Sequence, residues 1–141
     1  MVLNRHKRVL YYDCTNYYFE IEEADDFRKY GHSKENRPNP IVQMGLFMDA
    51  DGIPLTFSLF NGNENEQPSM KPLEKKILSD FGMTKFIVCT DAGLSSTSNR
   101  VFNNTPNRKF VTTQAIKKLK GYLKDYCLDE DGWHLIGDKK E

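Results

Sequence analysis

Two apolar runs separated by a short turn, Ile41 to Asp49 (IVQMGLFMD) and Pro54 to Phe60 (PLTFSLF), constrain this chain more than any other feature. Asp51-Gly52 between them is a strong hairpin signal, because Gly supplies the positive φ that a tight antiparallel turn requires. The chain is therefore built around a sheet. Arg8 to Cys14 (RVLYYDC) is short, β-branched and aromatic, and reads as an earlier strand ending near Asp13, with Tyr17 to Ile21 available to continue it. Gly31 to Pro40 is polar and rich in turn formers, so it reads as a loop.

Beyond the hairpin, Ser69 is placed to cap a helix in which Leu73, Ile77, Leu78 and Phe81 recur at spacings of three and four. Pro72 falls in the first turn, where it is tolerated, and Gly82 stands where a helix ends. Phe86 to Cys89 (FIVC) is apolar on both faces, as a buried parallel strand reads, and leads into Thr90 and Asp91. Ser95 to Ser98 open a short helix, where capping accounts for the hydroxyls. Lys109 to Thr113 gives a fifth strand. Ile116, Leu119, Leu123 and Tyr126 suggest an amphipathic helix weakened by Gly121, and Asp129 to Trp133 reads as a turn.

This order predicts an α/β fold: a mixed sheet with early antiparallel hairpin strands and later parallel strands, flanked by helices. Residues 1–141 read as one domain with an incomplete C-terminal part. Right-handed crossover would set the Phe86 strand beside the Arg8 strand, bringing Asp13 and Asp91 to neighbouring carboxyl ends. Tyr11, Tyr12, Tyr17, Tyr18 and Phe19 read as core aromatics, and Cys14 and Cys89 as small apolar strand residues.

Twenty basic and twenty acidic residues cancel, so net charge makes no case for a nucleic-acid partner. Cys14, Cys89 and Cys127 form no CxxC, and His6, His32 and His134 are scattered, which indicates neither a disulfide framework nor a zinc site. No segment approaches the roughly 20 apolar residues that span a bilayer. The expectation is a cytoplasmic protein with no membrane partner.

Two aspartates on adjacent strand ends repel unless a cation or proton intervenes. Mg²⁺ takes one or two carboxylates and completes its octahedron with water and phosphate oxygens, so Asp13 and Asp91 are candidate metal ligands and catalytic residues.

Around these aspartates the chain resembles bacterial insertion-sequence transposases of the DDE class. The similar segments are Tyr12-Asp13-Cys14-Thr15-Asn16, Gly31-His32-Ser33-Lys34-Glu35-Asn36-Arg37-Pro38, Asp51-Gly52-Ile53-Pro54-Leu55, Phe60-Asn61-Gly62-Asn63, Leu73-Glu74 and Val88-Cys89-Thr90-Asp91-Ala92-Gly93. They span roughly residues 8 to 103 in the expected order. The resemblance implies an RNase H-like catalytic domain with two Mg²⁺ or Mn²⁺ ions that cleaves DNA and transfers a 3′-hydroxyl into target DNA. It implies transposon ends and target DNA as partners, a homodimer in the complete protein, and Asp13 and Asp91 as the first two members of an Asp-Asp-Glu triad. Lys34 and Arg37 become candidate holders of DNA phosphates. Ala92 stands where family members often carry Arg. Glu130 and Glu141 are the only glutamates after Glu74, both in turn-like contexts, so no third carboxylate is identified. The chain thus reads as a partial domain, with residues 115–141 the start of an inserted region.

Two alternatives stand beside this one. Asp13 could be the nucleophile of a Mg²⁺-dependent phosphohydrolase, although Thr15 occupies the position where that class usually has a second aspartate. Otherwise the chain is a non-catalytic remnant that binds DNA or a transposase subunit.

Overall fold

The computed structural model describes residues 8–132. The hairpin forms as its sequence requires: β2 (Ile41–Asp49) pairs antiparallel with β3 (Pro54–Asn61), and Gly52 takes φ 76° in the turn. Asp49 fixes that turn, its Oδ1 accepting the Asp51 and Ile53 N–H groups at 3.0 and 2.9 Å. On its other edge β2 pairs antiparallel with β1 (Val9–Tyr18). The chain crosses by α1 (Met70–Asp80) to β4 (Phe86–Thr90), which lies parallel to β1, and by α2 (Thr97–Phe102) to β5 (Arg108–Thr112), parallel to β4. The result is an α/β fold with a five-stranded mixed sheet in the order β3-β2-β1-β4-β5.

Strand alternation sorts side chains onto two faces. Leu10, Tyr12, Cys14, Phe47, Phe86 and Val88 point to one face and are buried against Met70, Leu73 and Ile77 of α1 and Leu94 before α2. Tyr12 and Phe47, opposite each other in register, stack with ring centroids 4.5 Å apart. Gly45 makes this possible: a Cβ there would stand 2.2 Å from the Tyr12 hydroxyl. The other face carries Tyr11, Asp13, Tyr17, Phe57, Leu59, Ile87 and Val111, and among the described residues no helix lies over it.

One charged group is fully buried beneath α1. The Glu74 carboxylate accepts from Asn103 Nδ2 at 2.8 Å and lies 4.0 Å from Arg108 Nε, tying α1 to the end of α2 and the start of β5. Burial raises its pKa, against smaller lowering contributions from Asn103 and Arg108. Asn99, one turn before Asn103, donates to the Gln67 and Leu94 carbonyls at 3.0 and 2.8 Å and fixes α2 against the approach to α1.

Several expectations need correction. β1 does not end near Asp13 but runs on to Tyr18; what ends early is its pairing with β4. Ser69 does not cap α1, because the 3-10 turn Gln67–Ser69 runs directly into the helix. Its hydroxyl instead donates to Glu66 O and meets the Tyr12 hydroxyl. Gly82 does end α1, with φ 59°. β4 is not apolar-buried on both faces, since Ile87 is exposed on the open one. The aromatic cluster divides by parity: Tyr12 enters the core while Tyr11 and Tyr17 face outward. The amphipathic helix breaks at Lys120, whose ψ of 152° separates a 3-10 turn (Ile116–Lys118) from α3 (Gly121–Leu128), and neither piece buries a residue. His6, Arg5, Lys7, Trp133, His134 and Glu141 lie outside the described residues. No helix among the described residues is long and apolar enough to cross a membrane.

Candidate functional site

β1 and β4 stay in register only from Val9↔Ile87 to Tyr11↔Cys89 and then part. Asp13 and Asp91 each stand two residues past that last pair, and both line one groove at this end of the sheet. The split leaves one edge of β1 without a strand. Even-numbered residues of β1 face β4, as the bond from Ile87 N–H to Arg8 O at 2.8 Å shows, so both backbone groups of Cys14 would otherwise lack partners. Side chains satisfy them. The Cys14 N–H donates to Asp13 Oδ1 at 2.8 Å, and Lys34 Nζ donates to Cys14 O.

Asp91 is held in a similar way. Its Oδ1 accepts the Leu94 N–H at 3.0 Å, bending the chain from β4 toward α2, while Thr112 Oγ1 donates to its carbonyl at 3.0 Å. Asp13, Lys34, Asp91 and Thr112 line one open groove of about 680 Å³, with Tyr11 and Cys89 on its floor. Burial pushes the Cys89 thiol upward in pKa, which keeps it protonated and a poor nucleophile.

The structure thus brings together three of the four residues singled out from sequence. Arg37 is engaged elsewhere: its guanidinium stacks 4.1 Å from the Tyr18 ring centroid, and its Nε donates to Glu35 at 2.7 Å. Lys34 lies in the groove, but its ammonium is anchored on a backbone carbonyl. Ser96, as read, caps α2 by accepting the Asn99 N–H at 3.1 Å. Thr112 was not anticipated, because its role depends on the β4–β5 register. Asn99 and Asn103 were also missed, although asparagines one turn apart on a short helix are a signal for a face that bonds to backbone.

The donor chemistry fits a hard divalent cation. Each aspartate commits one oxygen to a backbone N–H, and its second carboxylate oxygen makes no hydrogen bond among the described residues. Two such oxygens suit Mg²⁺ or Mn²⁺, which keep several waters. A pair of ions needs more: among the described residues no three His, Cys, Asp or Glu side chains converge. Searches of known protein families, curated proteins and solved structures found no match to this chain.

Proposed function

We propose that this chain carries the Asp13 and Asp91 half of a metal-dependent DNA-cleaving and strand-transferring centre of the DDE transposase type, on an RNase H-like sheet. The observation that carries the proposal is that both carboxylates line one groove just past the point where β1 and β4 part. The sheet supports the same reading, since an antiparallel hairpin followed by parallel strands is what the resemblance implies.

In this reading Asp13 and Asp91 hold the cation, and the bonds from Cys14 and Leu94 N–H aim their carboxylates before it arrives. A bound Mg²⁺ or Mn²⁺ would polarise a phosphoryl oxygen and activate the attacking one. Lys34, fixed at the strand split, adds a positive charge beside Asp13 for a phosphate oxygen. Glu130 lies in the 3-10 turn Glu130–Gly132 and is not among the residues lining the groove, so it does not complete the triad. Strand transfer between transposon ends and target DNA, by a homodimer, belongs to a centre completed by a third carboxylate. This chain alone is expected to bind metal weakly and to cleave poorly.

Mn²⁺ titration followed by electron paramagnetic resonance tests the assignment. Asp13→Asn and Asp91→Asn should each lower Mn²⁺ affinity at least tenfold, and any Mn²⁺-dependent nicking of supercoiled plasmid should disappear in both. Unchanged Mn²⁺ binding in both variants would sink the site. Phosphate trapped covalently on Asp13 would favour the phosphohydrolase instead, and duplex binding with neither metal uptake nor nicking would favour the non-catalytic remnant.

A further inference from the structure

A second groove lies on the helical side of the sheet, between the first two turns of α1 and the start of α2, with a volume of about 460 Å³. Lys71 and Lys75 form one rim, and Ser96 and Ser98 the other. No carboxylate lines it, since the one acidic residue between the lysines, Glu74, is turned into the core. The lysines are four residues apart, which on a helix puts them on one face about 6 Å apart along the axis.

The groove is a built feature. Asn99, 3% exposed, forms part of its lining and clamps its two walls through the Gln67 and Leu94 carbonyls. Lys71 is held in place, its Nζ on Ser98 Oγ and 5.7 Å from the Phe102 ring centroid. The groove also reaches the Asp91 loop, because Gln67 Nε2 donates to Gly93 O at 2.8 Å.

We propose that this groove binds the phosphodiester backbone of a nucleic-acid strand that continues from the Asp13 and Asp91 groove around the Asp91–Ser96 loop. Two cations on one rim, Lys71 held by Ser98 and Lys75 exposed, with hydroxyl donors opposite and no competing carboxylate, are the chemistry of phosphate contact. At about 460 Å³ the groove is larger than one phosphate needs, and its two charges are one helical turn apart, which suits successive phosphates of a polymer better than a single small anion. The substrate class rests on the function proposed above; the phosphate chemistry stands on the groove.

Fluorescence anisotropy of a labelled 20-base-pair duplex, titrated with the full chain across a NaCl series, tests this. Neutralising both lysines (K71Q/K75Q) should weaken binding at least tenfold at low salt and reduce the slope of log K against log[salt] by about 2, roughly one counterion per lost contact. Asn99 and its clamp are untouched, so the thermal midpoint should stay the same. A slope unchanged from wild type overturns the proposal, as does a wild-type chain that binds no duplex. Two further arms separate sources of phosphate. Inorganic phosphate or phosphatidylserine vesicles that bind in a K71Q/K75Q-sensitive way, while duplex binding is insensitive, would also overturn it. D13N/D91N is measured in parallel. If it keeps duplex affinity but loses Mn²⁺, both proposals stand; if it keeps Mn²⁺ while K71Q/K75Q loses duplex binding, only the metal centre falls.

Discussion

The two faces of the sheet differ sharply although the same strands build both. On the helical face Leu10, Phe47 and Ile77 are 0% exposed. On the opposite face Tyr11, Tyr17, Phe57, Leu59, Ile87 and Val111 are 37–59% exposed. Neighbours in sequence thus sit in different solvents. The Asp91–Ser96 loop runs between the two grooves, with Asp91 lining the carboxylate groove and Ser96 the lysine groove. The contrast teaches that the burial holding the fold together lies on the helical face, while Asp13 and Asp91 lie in the groove at the open edge.

The largest effects should come from the helical face. Leu10→Ala should destabilise by about 3 kcal/mol through lost burial and a residual cavity, measured by urea unfolding. Tyr11→Ala, one residue on, should cost under about 1 kcal/mol. Equal losses at the two positions would mean the open face is covered in solution, and the contrast would fail.

Glu74 tests whether the helical face tolerates charge. Glu74→Ala leaves Arg108 and Asn103 facing an unfilled space and should cost about 3 kcal/mol. Its pKa is raised on folding, so its protonated form favours the native state. That contribution is full below the unfolded value and fades as pH rises through the folded one. Wild-type stability should therefore fall, relative to Glu74→Gln, as pH rises above the ordinary glutamate range, and the variant's urea midpoint should vary less over the same rise. Parallel profiles for the two proteins would show that Glu74 is charged throughout.

Asn99→Ala should cost about 2 kcal/mol, since it strips donors from one buried and one part-buried carbonyl. It should also loosen the lysine groove, visible as weaker duplex binding than its stability loss alone explains. The smallest effect is expected from Phe57→Ser with Leu59→Ser, within about 0.5 kcal/mol on stability. These changes should lower the binding of an apolar dye such as ANS; unchanged dye binding would place the sticky surface elsewhere.

The hairpin was legible because Asp51-Gly52 is a local signal, and the Asp13 and Asp91 neighbourhood because crossover handedness leaves one arrangement. The two faces were not legible. Val9 to Tyr18 carries apolar or aromatic residues at both parities up to Tyr12, so period two cannot say which side a helix will cover. The strand split was also hidden, because nothing in the FIVCTD segment announces where pairing stops. The contacts that build the site are long-range: Lys34 reaches Cys14 from 20 residues away, and Asn103 reaches Glu74 from 29. Such pairings follow from the finished topology and leave no periodic trace.

The bonds that satisfy the strand split also make the site observable. The Cys14 amide proton points at the Asp13 carboxylate and the Leu94 amide proton at Asp91. Each amide resonance in a nitrogen–proton correlation spectrum should move when its carboxylate takes up a cation. Titrating the two peaks separately would show which aspartate is occupied first, without altering a single side chain.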